Sequence, residues 1–280
     1  MSIAKVLTEL FSDYAAGRSS ARARRRCSAA TLRDTPHGFR LAGNRVMNSA
    51  DFEPAETAFI SAQLTRAGVF VDVGANIGFY SCLARKAGAR VIAIEASRDS
   101  VECLLFNLGA NGWDDVEVVP AGLANRIGIA PLHGGGTGAS LLADWAGASA
   151  APARSIPLTT LDTVVGHRFE DQALLIKVDV EGAELGVVQG ATAVLQRQPK
   201  PVWLLEICLT EHHPAGLNPD FEQTFEVFWR HGYEATALLD DGTRRLVTPA
   251  HVGRWAAHRE REFGYVSYVF EAAGSEPSPL

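Results

Sequence analysis

The stretch Val69-Phe70-Val71-Asp72-Val73-Gly74-Ala75-Asn76-Ile77-Gly78-Phe79-Tyr80-Ser81, a helix-length run, and then Val91-Ile92-Ala93-Ile94-Glu95 decide the fold. An apolar strand enters a glycine turn, a helix follows, and a second apolar strand ends in a lone carboxylate. That order is a βαβ unit, which holds a nucleoside outside the carboxyl ends of its strands.

The glycines narrow the ligand. A dinucleotide site uses Gly-x-Gly-x-x-Gly to bring backbone against a pyrophosphate, whereas Gly74 and Gly78 enclose three residues. Asp72 at a strand end suits a cationic amino group, the two glycines let backbone approach an amino-acid portion, and Glu95 suits two ribose hydroxyls. Those needs match S-adenosylmethionine, which carries no phosphate. Two other readings remain: an NAD(P)-dependent oxidoreductase, which the glycine spacing and the lack of a Tyr-x-x-x-Lys pair oppose, and a non-catalytic S-adenosylmethionine-binding protein.

With 280 residues and 47% hydrophobic content, the chain has enough apolar surface for one large core. The net charge of −6 supplies no basic field for nucleic acid. Arg22, Arg24, Arg25 and Arg26 form a basic run without aromatic neighbours, which reads as a solvated arm. Cys27, Cys82, Cys103 and Cys208 form no Cys-x-x-Cys pair, so the expectation is reduced thiols in a cytoplasmic protein. Neither an export signal nor a membrane span is expected.

Strands and helices alternate along the chain. An amphipathic helix is expected over 1–17 and an irregular β segment over 37–48, giving an N-terminal extension over 1–49. The main domain, 50–272, is expected to hold helices at 54–66, 79–87 and 183–195, the last broken near Gly190, and strands at 69–73, 91–94, 116–119, 173–180, 201–207, 233–238 and 265–270. Asp99 with Glu102 resembles a capping box before the stripe Val101, Leu104, Leu105, Leu108. Asp220 with Gln223 is expected to cap a helix with the stripe Phe221, Phe225, Phe228, Trp229, ending at Gly232. The glycine-rich residues 133–156 read as a mobile insertion, a lid over the acceptor, and 273–280 as a frayed tail. The pattern implies a mainly parallel sheet with helices on both faces.

Polar residues at the strand ends therefore carry the chemistry. Leu175, Lys177 and Asp179 alternate to one face, as do Val202, Leu204 and Glu206, so neighbouring strands would set Asp179 beside Glu206. Glu181 lies two residues further on, and His212 and His213 follow the next strand. Asp179, Glu206 and His212 are the candidate catalytic residues, either as a base at a hydroxyl, the favoured reading, or as ligands of Mg²⁺ or Mn²⁺.

The blocks at 71–78, Ile94-Glu95-Ala96, Thr160-Leu161-Asp162, 176–184 and 204–207 together resemble the FkbM-type methyltransferase family over about residues 50–240. The resemblance implies a class I, Rossmann-like methyltransferase fold with a seven-stranded, mostly parallel sheet and one antiparallel strand near its edge. It implies methyl transfer to oxygen on a sugar or polyketide-like hydroxyl. Matched residue by residue, it puts the cofactor on Asp72, Gly74, Asn76, Gly78 and Glu95, and Asp179, Glu181 and Glu206 at the reaction face. Where the family tends to have Ser followed by an acid, this chain reads Ala121-Gly122-Leu123. The acceptor is expected to be a small molecule, with oligomerisation left open.

Overall fold

Runs of Val, Ile and Leu ending in glycine turns build the centre of the molecule, because β-branched side chains fit a pleated surface buried on both sides. The computed structural model describes residues 27–147, 153–264 and 267–274. The helix expected over 1–17, the arginine run 22–26 and the tail beyond 274 lie outside the described residues.

In chain order the elements are a hairpin of β1 (Arg33–Asp34) and β2 (Arg40–Leu41), α1 (Pro54–Gln63), β3 (Val69–Val73), α2 (Phe79–Lys86), β4 (Arg90–Ile94), α3 (Arg98–Ala110) and β5 (Glu117–Val119). Then come β6 (Gly122–Leu123), β7 (Gly128–Leu132), β8 (Arg154–Thr159), α4 (Leu161–Val164), β9 (Leu174–Val178), α5 (Glu184–Gln189), α6 (Thr192–Leu195) and β10 (Val202–Glu206). The chain closes with α7 (Phe221–Arg230), β11 (Tyr233–Leu238), β12 (Arg244–Val247), α8 (Pro249–His258) and β13 (Ser267–Ala272).

Eight strands form the main sheet in the order β12-β11-β13-β10-β9-β3-β4-β5. Strands β10, β9, β3, β4 and β5 pair in parallel, while β13 inserts antiparallel between β10 and β11. This is the class I methyltransferase arrangement expected above. Strand β12 adds to it through a tight turn in which Gly242 takes φ 82° and the Leu239 N–H donates to the Thr243 carbonyl, the chemistry that an Asp-Gly pair favours. A separate sheet, β6-β8-β7, stands in the region that reads in sequence as loose.

Each sheet face buries its own core. Val71, Val73, Ile176, Val178, Trp203 and Leu205 meet α5, α6 and α7, and Phe70, Val91, Leu175 and Leu204 meet α1, α2 and α3. Phe39, Leu41, Met47 and Phe52 join the second core, so the described part of the extension is built into the domain. Asn107 ties it down, since its amide accepts from the Ala42 N–H and donates to the Ala42 and Ile77 carbonyls.

Four local expectations are corrected. Ser97, not Asp99, caps α3, its hydroxyl accepting from the Ser100 N–H, because the shorter side chain sits where the strand turns. The buried stripe of α3 is Ser100, Cys103, Leu104, Asn107 and Leu108, which leaves Leu105 exposed. Asp220 stands at the N-cap of α7 without a side-chain cap bond. Among the cysteines, Cys82 and Cys208 are free and buried, but Cys27 and Cys103 form a disulfide, their Cα atoms 5.3 Å apart although 76 residues separate them in sequence. Spacing along the chain reveals local thiol pairs and is blind to one made by tertiary packing.

Phe228 is fully buried, stacked on Phe270 at 3.8 Å and edge-on to Trp203 at 5.4 Å. Phe228→Ala is expected to cost about 3–5 kcal/mol by denaturant unfolding with an unchanged slope; a loss under about 1 kcal/mol would contradict this packing.

Candidate functional site

The carboxyl ends of β3, β4 and β9 open onto a cleft of about 590 Å³ of empty space, part of it open to solvent, a size suited to a small-molecule ligand. Its shape begins at Gly74, with φ +83°. A Cβ there would lie 1.8 Å from the Asp179 carbonyl oxygen, so only glycine lets the turn after β3 meet the loop after β9. The Asp179 N–H also donates to the Val73 carbonyl at 3.0 Å.

Asn76 follows with φ 51°, a left-handed conformation that Asn tolerates better than most residues. Its N–H donates to Glu95 Oε2 at 2.7 Å, and the Ser97 N–H donates to Glu95 Oε1 at 2.6 Å. Glu95 therefore pins the turn while it lines the cleft. Burial pushes its carboxyl up to about 7, against the two amide bonds that favour its charged form.

The opposite wall is acidic and capped by Trp145. Asp179 and Glu181 both line the cleft. The Trp145 indole N–H donates to Glu181 Oε2 at 2.7 Å, and the Ser140 hydroxyl donates to the Glu181 carbonyl at 2.6 Å. Gly182 makes room, because a Cβ there would meet the Trp145 ring at 2.5 Å. Burial pushes Glu181 to about 8, with Asp179 adding repulsion. Of the glycine-rich insertion, residues 154–156 start β8, and within 133–147 Gly136, Thr137, Ala139 and Leu141 line the cleft.

Below the rim one ammonium faces several acids. Lys177 Nζ donates to Asp179 Oδ2 at 2.8 Å and sits 4.9 Å from the centre of the Tyr80 ring. The Tyr80 hydroxyl donates to Glu53 Oε2 at 2.6 Å. Burial pushes Glu53 to about 7 and Glu206 well above the carboxylate range, in both cases against the pull of Lys177. Burial alone favours a neutral Lys177 amine, but Asp179, Glu53, Asp72 and Glu206 reverse that and raise its pKa.

The expected site residues divide. Gly74, Asn76, Glu95, Asp179 and Glu181 line one cleft. Asp72 is not among the lining residues; it accepts from the Ser81 hydroxyl at 2.6 Å and its partner across the ladder is Lys177. That hydrogen bond joins the end of β3 to α2. Gly78 is a packing glycine, with φ +91° and an added Cβ 2.4 Å from Leu104 Cδ1. Glu206 follows the register Leu204↔Lys177 that sets β10 beside β9. His212 lies 6.2 Å from the Trp145 ring and accepts the Ala146 N–H on its carbonyl. Burial pushes its imidazole down.

Among the described residues no group of three or more His, Cys, Asp or Glu side chains is placed to hold a metal ion, so Asp179, Glu206 and His212 do not assemble as a cage. Thr160 and Asp162 are structural: Thr160 caps α4, and the Asp162 carboxylate accepts the Ala193 and Val194 N–H groups at 3.0 Å. Sequence reading missed Glu53, Tyr80 and Trp145. The tryptophan stranded in a Gly-Ala-Ser stretch was the available signal for the last.

The family model described as "Methyltransferase FkbM domain" matches residues 72–235. No curated protein matches the chain. Among solved structures, cofactor-bound Rv0187 from MTB is 17% identical, with 97% of each chain covered and a TM-score of 0.46. A precorrin-6y C5,15-methyltransferase from Geobacter metallireducens GS-15 is 15% identical over 81% of this chain and 89% of that one, with a TM-score of 0.40.

Two outcomes follow from the site. Glu95→Ala is expected to weaken S-adenosylmethionine binding by about 1.5–3 kcal/mol in calorimetry, the loss of a charged acceptor to two hydroxyls; wild-type affinity in a folded variant would move the ribose elsewhere. The second concerns pH. Burial holds Glu53, Glu95 and Glu184 at about 7 and Glu181 at about 8, above roughly 4.3 for glutamate in an unfolded chain. The folded state then keeps protons that the unfolded chain has released. That stability is fully present below the unfolded value and is lost as pH rises through 7 to 8. The thermal midpoint is expected to fall between pH 5 and pH 8.5 at constant ionic strength, and a midpoint rising across that window would contradict it.

Proposed function

The chain belongs to the FkbM methyltransferase family and uses S-adenosylmethionine, and we propose that the methyl acceptor is a hydroxyl of a small molecule, a sugar or another natural-product moiety. One observation carries this reading: Asp179 lines the cofactor cleft while Lys177 holds it from beneath at 2.8 Å. A hydroxyl needs its proton removed as it attacks, and a charge-paired carboxylate at the cleft wall can take it.

The residues present suit the cofactor. Glu95 faces the cleft where ribose hydroxyls would donate, and Ala96, Ala121 and Gly122 give an apolar slot for a flat base. Bound there, S-adenosylmethionine supplies a sulfonium methyl, so that the C–S bond breaks as the O–C bond forms and the hydroxyl proton leaves. The Gly74 and Asn76 turn fixes the cofactor's position relative to Asp179, and such positioning supplies much of the rate for in-line displacement. Trp145 and Leu141 restrict water at the rim.

The acidic wall and the net charge of −6 oppose phosphate-rich or nucleic acid acceptors.

The test combines radiolabelled-methyl S-adenosylmethionine with methyl glycosides, simple phenols, benzylamine and benzoate. Labelled ether from a glycoside or phenol is expected, with turnover unchanged by EDTA and lowered about 10²–10⁴-fold by Asp179→Asn while cofactor affinity holds. Label passing to the amine or carboxylate, or an Asp179→Asn variant as active as wild type, would overturn the reading.

A further inference from the structure

We propose that Trp145 is a positioning residue for cofactor binding: its indole N–H fixes the Glu181 side chain on the wall of the cleft, and its ring joins the insertion to the loops after β9 and β10. Trp145 is fully buried and is not among the lining residues, whereas Glu181 is one of them. The tryptophan therefore acts through the glutamate.

Three loops meet in one junction at this residue. From the insertion, the indole N–H donates to Glu181 Oε2 at 2.7 Å and the Ser140 hydroxyl donates to the Glu181 carbonyl at 2.6 Å, so the side chain and the main chain of Glu181 are held from the same side. The Ser140 hydroxyl also accepts the Leu142 N–H, and the Ser140 main chain pairs with that of His133 at the end of β7. The Ala146 N–H donates to the His212 carbonyl at 2.9 Å, and the His212 and His213 rings lie 6.2 Å and 6.0 Å from the Trp145 ring. Gly182 permits the contact, because a Cβ there would meet the Trp145 ring at 2.5 Å and Leu142 at 2.8 Å.

The backbone marks the same junction. Among the described residues nine non-glycine residues have a left-handed φ, and four of them, Asp144 (60°), Ala146 (51°), Glu181 (56°) and His212 (62°), stand here. Such conformations cost free energy, persist only where the surroundings over-determine them, and gather where a geometry has to be kept. In this case they hold one another: Ala146 bonds to His212, and Trp145, between Asp144 and Ala146, bonds to Glu181. Filling the space needs only the ring. The indole N–H in addition sets which way the carboxyl points, and it does so in either protonation state, since a neutral carboxyl and a carboxylate both offer an accepting oxygen.

Glu181 shares its cleft with Gly74, Asn76 and Glu95, the turn and the carboxylate on the cofactor side. A carboxyl already pinned there meets a ligand without first giving up the rotamer freedom of a loose side chain, so the orienting bond is read as affinity.

The inference rests on S-adenosylmethionine occupying this cleft and not on the class of acceptor, so calorimetry without an acceptor tests it. Trp145→Phe keeps a ring and removes the N–H. It is expected to weaken S-adenosylmethionine binding about 5–20-fold, the scale of one hydrogen bond, and Glu181→Ala is expected to do the same. With Glu181 already replaced by alanine, Trp145→Phe is expected to cost less than about twofold more, because it no longer has a carboxyl to orient. Thermal midpoints check that each variant is folded. A Trp145→Phe or a Glu181→Ala protein with wild-type affinity overturns the proposal. So does a loss from Trp145→Phe that is as large in the Glu181→Ala background as in wild type, which is what packing alone gives, or a Trp145→Phe protein that does not fold. Glu95→Ala, measured beside them, separates the two readings: at wild-type affinity it removes the cofactor from this cleft and the inference falls with it, whereas a weakened Glu95→Ala beside an unaffected Trp145→Phe sinks the role of Trp145 alone.

Discussion

The absence of a side chain at Gly74 governs the geometry of the rim. The turn after β3 touches the main chain of Asp179 with no space for a methyl group, and the Asp179 N–H closes onto Val73. The turn after β3 and the loop after β9 are therefore joined through their main chains and are not two loops that happen to adjoin. Glu95 pins the same turn at Asn76, and Asn107 pins it at Ile77. All five turn residues, 74–78, are held by contacts to other parts of the chain, Ala75 through its N–H to the Ile94 carbonyl and Gly78 against Leu104, which is how a loop reaches the precision that methyl transfer asks for.

Electrostatically the site is acidic. Among the described residues Lys177 faces Asp179, Glu53, Asp72 and Glu206, and its ammonium donates to Asp179 at 2.8 Å. Burial raises the carboxyls of Glu53, Glu95, Glu181, Glu184 and Glu206, because it penalises their charged forms.

The parts of this arrangement that are local in sequence were legible. The βαβ unit from Val69 to Glu95 needed only strand, glycine and carboxylate order. That the strands ending near Asp179 and at Glu206 are neighbours needed only alternation and strand order, and the register Leu204↔Lys177 sets them side by side. What depends on tertiary contact was hidden. Nothing along the chain marks Glu53 as a partner of Tyr80, or Cys27 of Cys103, because the residues meet only after the extension has folded onto α2 and α3. The contacts that Asp72 makes with Ser81, and Gly78 with Leu104, were likewise hidden, because each partner comes from a helix that packs onto the turn only in the folded chain.

The main sheet also has to end somewhere, and the manner of its ending bears on how the protein behaves in a crowded solution. An open row of backbone donors and acceptors invites another chain to add itself. At one side the ladder stops at β5, only three residues long. At the other it stops at the four residues of β12, where Arg244 is tied inward to Glu271 and Arg245 stands exposed beside Leu246. Short length at one margin and arginine at the other make both poor templates for recruiting a foreign strand, so the sheet that organises the site is discouraged from propagating into aggregates.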